Sequence, residues 1–272
     1  MNLIQSIILG LVQGLTEFLP VSSTAHLALV PWFFRWNDPG LAFDVALHIG
    51  TLLAVIYYFW RDYTVIIKEF ISGIFARSFK NYPDGKLGLL IIIATIPGAL
   101  FGFLFEKQAE KAFRNPLIIA LSVFIFGMIL YIADKLSRKR KEISDMGLLD
   151  CLVIGISQAL AIIPGVSRSG ITIIGGLARN LKRETAARFS FLISTPLIAG
   201  AAILESRHLD YTAVTSVPFV VGVLTAAVFG FLAIKYLLRY VQTNSYTVFV
   251  IYRILLAALI LFVYMRRVGS WI

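Results

Sequence analysis

Two short polar segments interrupt long apolar stretches of the sequence, and the second of them carries a fixed cation. Arg168 lies in the segment 162–170, which reads Ile-Ile-Pro-Gly-Val-Ser-Arg-Ser-Gly between almost wholly apolar flanks. A charge at membrane depth is energetically costly and by default marks a functional site. An arginine with serine hydroxyls at a helix start has the chemistry of a phosphate receptor. We therefore predict that Ser167, Arg168, Ser169 and Thr172 bind a phosphate group.

The other polar segment lies near the start of the chain and carries a carboxylate, hydroxyls and an imidazole. Its polar residues are Gln13, Glu17, Ser22, Ser23, Thr24 and His26. Gln13 and Glu17 are four residues apart and so share one face of a helix. A capped, water-lined kink could account for the hydroxyls, but it does not account for Glu17 and His26 together. The combination indicates a functional site.

If the two segments meet, their polar groups form an anion pocket. Gln13 and Glu17 then supply oxygen ligands for a divalent cation, Mg²⁺ or Ca²⁺, that bridges phosphate oxygens. The alternative is a purely structural ion pair between Arg168 and Glu17.

Composition places these residues in a membrane protein. Of 272 residues, 58% are hydrophobic, the mean hydropathy is +0.83, and apolar runs long enough to cross a bilayer recur. We predict one integral membrane domain, residues 1–272, without a removable signal peptide. The single cysteine, Cys151, excludes an internal disulfide and a cysteine metal cluster. The net charge of +10 lies in short loops, so we expect contact with membrane lipids and no nucleic-acid partner.

The apolar segments fall into two types. Residues 3–30 and 148–178 are broken by polar residues and a proline, which predicts two re-entrant helical hairpins. We therefore predict an all-α, polytopic membrane fold with six transmembrane helices and two re-entrant hairpins. The six predicted spans are 41–60, 88–106, 116–134, 188–205, 215–235 and 246–265.

The two halves of the chain resemble each other. The hexapeptide at 8–13 parallels that at 153–158, and 100–104 parallels 228–232; 19–24 parallels 163–168 more loosely. We predict repeats of about 1–135 and 147–272, each with one hairpin and three spans. An odd number of spans inverts the second repeat, and inverted repeats place a site near the midplane. Chance similarity between apolar segments is the alternative.

The basic residues predict the orientation. With this layout, the loops at 61–86, 135–141, 179–188 and 235–239 carry sixteen Lys and Arg residues on one side. Seven lie on the other side, which places both termini outside the cell. Those seven are Arg35, Lys107, Lys111, Arg114, Arg207, Arg266 and Arg267.

The two polar motifs also carry a family resemblance. Gln13-x-x-x-Glu17 followed by Phe-Leu-Pro-Val-Ser-Ser-Thr-x-His26, together with Pro164-Gly-Val-Ser-Arg-Ser-Gly-Ile-Thr172, resembles the undecaprenyl-diphosphate phosphatase family. These are integral membrane lipid phosphatases of the bacitracin-resistance type. The resemblance covers essentially the whole chain. The family carries Glu or Gln at the position of Gln13, so here Glu17 alone is available as a carboxylate.

The resemblance implies hydrolysis of the terminal phosphate of a C55 polyprenyl diphosphate. The product would recycle the lipid carrier of cell-wall polysaccharide (peptidoglycan) synthesis and confer bacitracin resistance. The resemblance also implies location in the plasma membrane, a pocket open to the outer face and a supporting divalent cation. The oligomeric state stays open, and a homodimer is one possibility. We favour Ser23 as the nucleophile, assisted by His26; Glu17 is the other possible base. His26 or an activated water are the alternatives. Arg168 would hold the transferring phosphoryl group.

The function and the roles of three further polar residues stay open at this stage. A transporter or flippase of a phosphate-bearing prenyl lipid is the main alternative function, because inverted repeats with broken helices are a transporter architecture. A lipid phosphatase of the phosphatidic-acid type is set aside because the chain lacks a Pro-Ser-Gly-His motif. Asp44 and His48 are either neighbours of the site or interface residues. For Arg253, inside the last predicted span, snorkelling or an interhelical contact is favoured over a substrate role.

Overall fold

The chain folds into α-helices joined by short connections. The structure is a computed structural model and describes residues 1–112, 115–205 and 215–269. Its helices are α1 (Leu3–Phe18), α2 (Ser23–Phe34), α3 (Leu41–Tyr58), α4 (Trp60–Phe75), α5 (Pro83–Ala112), α6 (Pro116–Leu136), α7 (Leu148–Ala159), α8 (Arg168–Ala178), α9 (Arg183–Glu205), α10 (Val217–Thr243) and α11 (Thr247–Gly269). The predicted all-α fold is confirmed.

Several of these helices are long and apolar enough to cross a bilayer. Five pass by length and composition: α5, α6, α9, α10 and α11. A sixth span is counted if the bent pair α3 and α4 is taken as one. The chain is therefore a multi-pass membrane protein, and the predicted count of six is compatible with the structure.

Helix α4 was not predicted. The sequence predicts that the first span ends at residue 60 and that 61–86 form a loop, but the chain turns by 75° and continues as a helix. The reason is that α4 is amphipathic: Ile66 and Gly73 are buried, while Arg61 and Lys68 are exposed. Its charges resemble those of a loop, although its apolar side packs against α5.

Each predicted hairpin is a pair of short helices joined by a tight turn. Helices α1 and α2 pack together across residues 19–22, and α7 and α8 across 163–167. Ser22 and Ser167 are the N-caps of α2 and α8, with φ of 76° and 75°, and each hydroxyl accepts a backbone N–H three residues ahead. Such backbone at a non-glycine residue is strained and clusters at functional sites. The two turns thus have the same local geometry.

This geometry corrects the alignment of one pair of similar segments in the two halves of the chain. Ser22 and Ser167 each lie nine residues after a glutamine, Gln13 and Gln158. Equating the two N-caps pairs Ser23 with Arg168 and moves the loose parallel of 19–24 with 163–168 by one residue. The strained N-cap serine therefore aligns the two turns better than the proline of each turn does.

Corresponding helices of the two halves have corresponding packing partners. Helix α1 packs on α10 and α7 on α5, while α3 contacts α9 and α6 contacts α11. The hairpin contacts are close: a Cβ on Gly10 would lie 2.4 Å from the Gly222 carbonyl oxygen, and one on Gly155 would lie 2.7 Å from that of Ala94. Small residues permit this approach of helices in a membrane. A two-fold arrangement would produce this correspondence; the inverted repeat itself stays a prediction.

The four loops predicted to share one side meet at one end of the helices. Arg188 pairs with Asp62, and the Arg183 Nε atom donates to Asp134 at 2.6 Å. Lys86 donates to the Met146 carbonyl at 3.2 Å, which joins the first two loops. The Gln242 amide donates to Glu184 at 2.9 Å. Of the seven basic residues on the other side, Arg114 and Arg207 lie outside the described residues, as do the side chains of Lys107 and Lys111.

Candidate active site

Glu17 is the point at which the two hairpins meet. Its Oε1 atom accepts a hydrogen bond of 2.6 Å from Arg168 Nη2. Its Oε2 atom accepts from the Ser23 hydroxyl at 2.6 Å and from Gln13 Nε2 at 3.0 Å. The Glu17 side chain is 5% exposed and that of Arg168 is 11% exposed. One buried carboxylate therefore joins α1, α2 and α8, and brings predicted residues of both segments together.

His48 of α3 also faces this carboxylate. Its Nε2 atom lies 3.4 Å from Glu17 Oε2, and its Nδ1 atom donates to the Asp44 backbone carbonyl at 2.8 Å. The imidazole is 24% exposed, the largest exposure among the groups that contact Glu17. The sequence left His48 open between a neighbour of the site and an interface residue. The structure places His48 beside Glu17. Asp44 contributes its backbone carbonyl, which accepts the hydrogen bond from His48.

Arg168 has a second partner that sequence reasoning missed. Its Nη1 atom donates to the backbone carbonyl of Ser190 in α9 at 3.1 Å. The Thr172 hydroxyl lies 2.7 Å from the Ser190 hydroxyl, so residues of α8 and α9 share one polar network. For the hydroxyl contact, the available signal was the group Ser190, Ser194 and Thr195 within an otherwise apolar span; the carbonyl contact has no such signal.

The serine hydroxyls of the second turn form hydrogen bonds with backbone groups. The Ser169 hydroxyl donates to the Leu19 carbonyl in the first turn at 3.0 Å, which ties the hairpins together directly. The Ser167 hydroxyl accepts from Gly170 N–H and lies 3.2 Å from the Ser169 hydroxyl. These contacts fix the start of α8, where the first N–H groups have no acceptor within the helix.

The first turn is fixed in a similar way. The Ser22 hydroxyl caps α2 and lies 3.3 Å from the Thr24 hydroxyl. The His26 Nδ1 atom donates to the Ser22 carbonyl at 2.7 Å, and its Nε2 atom lies 2.6 Å from the Tyr252 hydroxyl. The two rings stack with centroids 5.7 Å apart. Both nitrogens of His26 are thus engaged away from Ser23, and Tyr252 is a further residue that the sequence analysis did not identify.

The oxygens available to a metal ion are few. Among the described residues, no group of three or more His, Cys, Asp or Glu side chains is arranged to hold one. Gln13 is fully buried, however, and its Oε1 atom has no hydrogen-bond partner. Gln13 presents its Nε2 atom to Glu17, and a rotation of the amide by about 180° would turn this oxygen towards the carboxylate, which gives a partial ligand set of the kind that Mg²⁺ completes with water and substrate phosphates.

Comparison with known proteins identifies the family. The profile described as bacitracin resistance protein BacA matches residues 6–259. A protein of Moorella thermoacetica named undecaprenyl-diphosphatase is 58% identical over 98% of this chain and 100% of its own length. Proteins with the same name from Desulforudis audaxviator and Caldicellulosiruptor bescii are 46% and 48% identical, over 98% of this chain and 100% and 99% of theirs. The chain belongs to the bacitracin resistance protein BacA family.

Proposed function

We propose that this protein is an undecaprenyl-diphosphatase, which hydrolyses the terminal phosphate of undecaprenyl diphosphate. Glu17 carries the proposal, because one buried carboxylate contacts both a hydroxyl nucleophile and a phosphate-binding arginine. The names of the relatives favour hydrolysis over the transporter considered from the sequence. The monophosphate product is a reusable lipid carrier for cell-wall polysaccharide synthesis, and its recycling is the basis of bacitracin resistance.

Ser23 is the nucleophile in this proposal and Glu17 is its general base. The Ser23 hydroxyl already donates to Glu17 Oε2 at 2.6 Å, which is the reach that a base requires. The Ser23 oxygen attacks the terminal phosphorus, its proton passes to Glu17, and the bond from phosphorus to the bridging oxygen breaks. Undecaprenyl phosphate leaves, and water then hydrolyses the phosphoserine.

Arg168 binds the phosphoryl group that is transferred. Its guanidinium lies across the Glu17 carboxylate from Ser23, at the first position of α8. Phosphoryl transfer depends mainly on positioning and on stabilisation of charge. The positive end of the α8 dipole adds to the same anion site. The hydroxyls of Ser22, Thr24, Ser167, Ser169 and Thr172 set the turns and complete the diphosphate contacts.

His26 has a positioning role in this proposal instead of acting as the base for Ser23. Its ring nitrogens contact the Ser22 carbonyl and the Tyr252 hydroxyl, so the imidazole fixes the first turn against α11. Glu17 is therefore the group that receives the proton. The sequence favours His26 as the group that assists Ser23, and this proposal gives that role to Glu17 instead.

A divalent cation would be held by Glu17 and Gln13 through the carboxylate and the unpartnered amide oxygen. When bound, it supplies positive charge that neutralises the diphosphate oxygens. We further propose the plasma membrane as the location, with the sixteen-residue basic side in the cytoplasm and the pocket open to the outer face.

The test is phosphate release from undecaprenyl diphosphate by the protein purified in detergent with Mg²⁺ or Ca²⁺. Release is expected from the wild type and not from Ser23→Ala or Arg168→Ala; release that survives both substitutions contradicts the site. If the wild type releases no phosphate but moves the lipid across vesicle membranes, the transporter interpretation is correct instead. Arg239→Ala, in the basic end of α10, is a matched control that keeps full activity.

A further inference from the structure

Arg253 in α11 is a cation in the protein interior that the mechanism above does not use. Its side chain is among the largest fully buried ones, with 1% exposure. Among the described residues it pairs with no carboxylate; all of its hydrogen bonds reach backbone carbonyl oxygens. An arginine that only had to tolerate the membrane would extend to the interface. Arg253 instead points inward, so its position needs a reason within the protein.

The carbonyls that it contacts belong to the two hairpin turns. Arg253 Nη1 donates to the Pro20 carbonyl of the first turn at 3.1 Å and to the Val166 carbonyl of the second at 3.2 Å. Arg253 Nη2 donates to the Gly165 and Val166 carbonyls at 2.9 and 3.2 Å. A single guanidinium therefore bridges the two turns.

The guanidinium is itself held in place by α6. Arg253 Nε donates to the Val123 carbonyl at 2.9 Å, and Nη2 lies 3.5 Å from the Ser122 carbonyl. Gly127 makes room for the side chain, because a Cβ there would lie 3.2 Å from Arg253 Cβ. The five N–H donors of arginine form a rigid fork, and here they meet five carbonyl oxygens from three segments. A lysine has one nitrogen and cannot span this arrangement.

The contacted carbonyls lie just before the residues that carry the chemistry. Ser23 follows Pro20 by three residues, and Arg168 follows Val166 by two. We propose that Arg253 is a positioning residue that sets the distance between Ser23 on one hairpin and Arg168 on the other. The proposal rests on the function proposed above, because Ser23 and Arg168 act on the same phosphoryl group. A displacement of about 1 Å between reacting groups is enough to cost about a hundredfold in rate.

The test compares Arg253→Met and Arg253→Lys with Arg266→Met, an exposed arginine on the same helix, as the matched control. For folded, monodisperse protein, we expect kcat to fall about a hundredfold in Arg253→Met while KM changes by less than about threefold. KM is expected to change little because Arg168 retains its hydrogen bonds to Glu17 and to the Ser190 carbonyl. The kcat of Arg253→Lys is expected to lie between those of the wild type and Arg253→Met, since lysine keeps the charge but lacks the forked set of donors. The control stays at the wild-type rate.

Hydrogen exchange measured by mass spectrometry gives a readout that does not depend on activity. Peptides that cover 19–22 and 163–167 are expected to exchange faster in the Arg253 variants, while α3 and α10 are unchanged. A folded Arg253→Met with wild-type kcat, or with unchanged exchange at both turns, overturns the proposal. If Arg253→Met does not fold, a wild-type kcat in Arg253→Lys overturns it in the same way. A wild type without phosphate release refutes the proposed function separately, and the exchange result still decides whether Arg253 positions the turns.

Discussion

Substitution of Glu17 by Gln tests the central assignment, because it keeps the shape of the side chain and removes the base. The Ser23 hydroxyl is 2.6 Å from Glu17 Oε2, and an amide oxygen there still accepts a hydrogen bond but does not take up the proton. General base catalysis contributes about 10²- to 10⁴-fold. At about 1.4 kcal/mol for each factor of ten, the barrier should rise by about 3–5 kcal/mol. We expect kcat for phosphate release to fall accordingly, with a much smaller change in KM.

The same substitution has a cost in stability that must be separated from catalysis. Glu17 and Arg168 are 5% and 11% exposed, and removal of one partner of a buried pair costs about 3–5 kcal/mol. The Ser190 carbonyl still accepts from Arg168, so we expect the lower end of that range. Replacing Arg168 by Gln in the same protein removes the uncompensated charge. The double variant should therefore unfold at a higher temperature than Glu17→Gln alone, although it is inactive.

The assay measures phosphate released per folded protein, with melting followed in the same detergent. Glu142→Gln is the matched control, because this carboxylate is 60% exposed and pairs with Lys182 at the surface; it should change neither rate nor stability. Folded Glu17→Gln that works within about threefold of the wild-type rate refutes Glu17 as the base. If His26→Gln lost far more activity than Glu17→Gln, the imidazole would be the base despite its contacts.

Three further predictions concern the nucleophile, the cation and the packing of α1. Ser23→Ala should abolish the covalent phosphoenzyme that brief incubation with labelled substrate and acid quenching trap in the wild type; a label that persists excludes Ser23. Gln13→Glu should lower the Mg²⁺ concentration that gives half-maximal rate after chelator treatment, because a second carboxylate strengthens the site; an unchanged requirement places the cation elsewhere. Gly10→Ala should lower the melting temperature by the equivalent of about 1–3 kcal/mol, since its Cβ would meet a carbonyl of α10 at 2.4 Å; an unchanged melting temperature contradicts that close contact.

Local sequence patterns were sufficient to locate most of the residues that meet at Glu17, although they left His48 open. Arg168 stood out because lipid excludes an unpaired charge, and Glu17 stood out because packing needs no carboxylate at that depth. Both arguments depend only on the residue and its immediate surroundings. The break in each hairpin was visible for the same reason, as polar residues and proline interrupted an apolar run. The all-α fold followed from the length of the remaining runs.

Contacts between distant segments could not be predicted in this way. Ser190 presents a backbone carbonyl to Arg168, and a carbonyl has no sequence signature. Tyr252 is one aromatic residue among many in an apolar helix, and only the fold brings it to His26. Helix α4 was missed because the charges of an amphipathic helix resemble those of a loop. The sequence could thus identify the reactive groups, whereas their orienting partners depend on how the helices pack.

The two hairpin turns have the same local geometry, and in the proposed mechanism they divide the chemistry between them. Ser22 and Ser167 cap α2 and α8 with the same strained backbone, so Ser23 and Arg168 occupy the same first helical position. Two serines there would leave the phosphate without a cation, and two arginines would leave it without a nucleophile. Only unlike residues at equivalent positions provide both groups to one phosphoryl group. Arg253, which contacts both turns, is placed where it can keep these unlike halves in register.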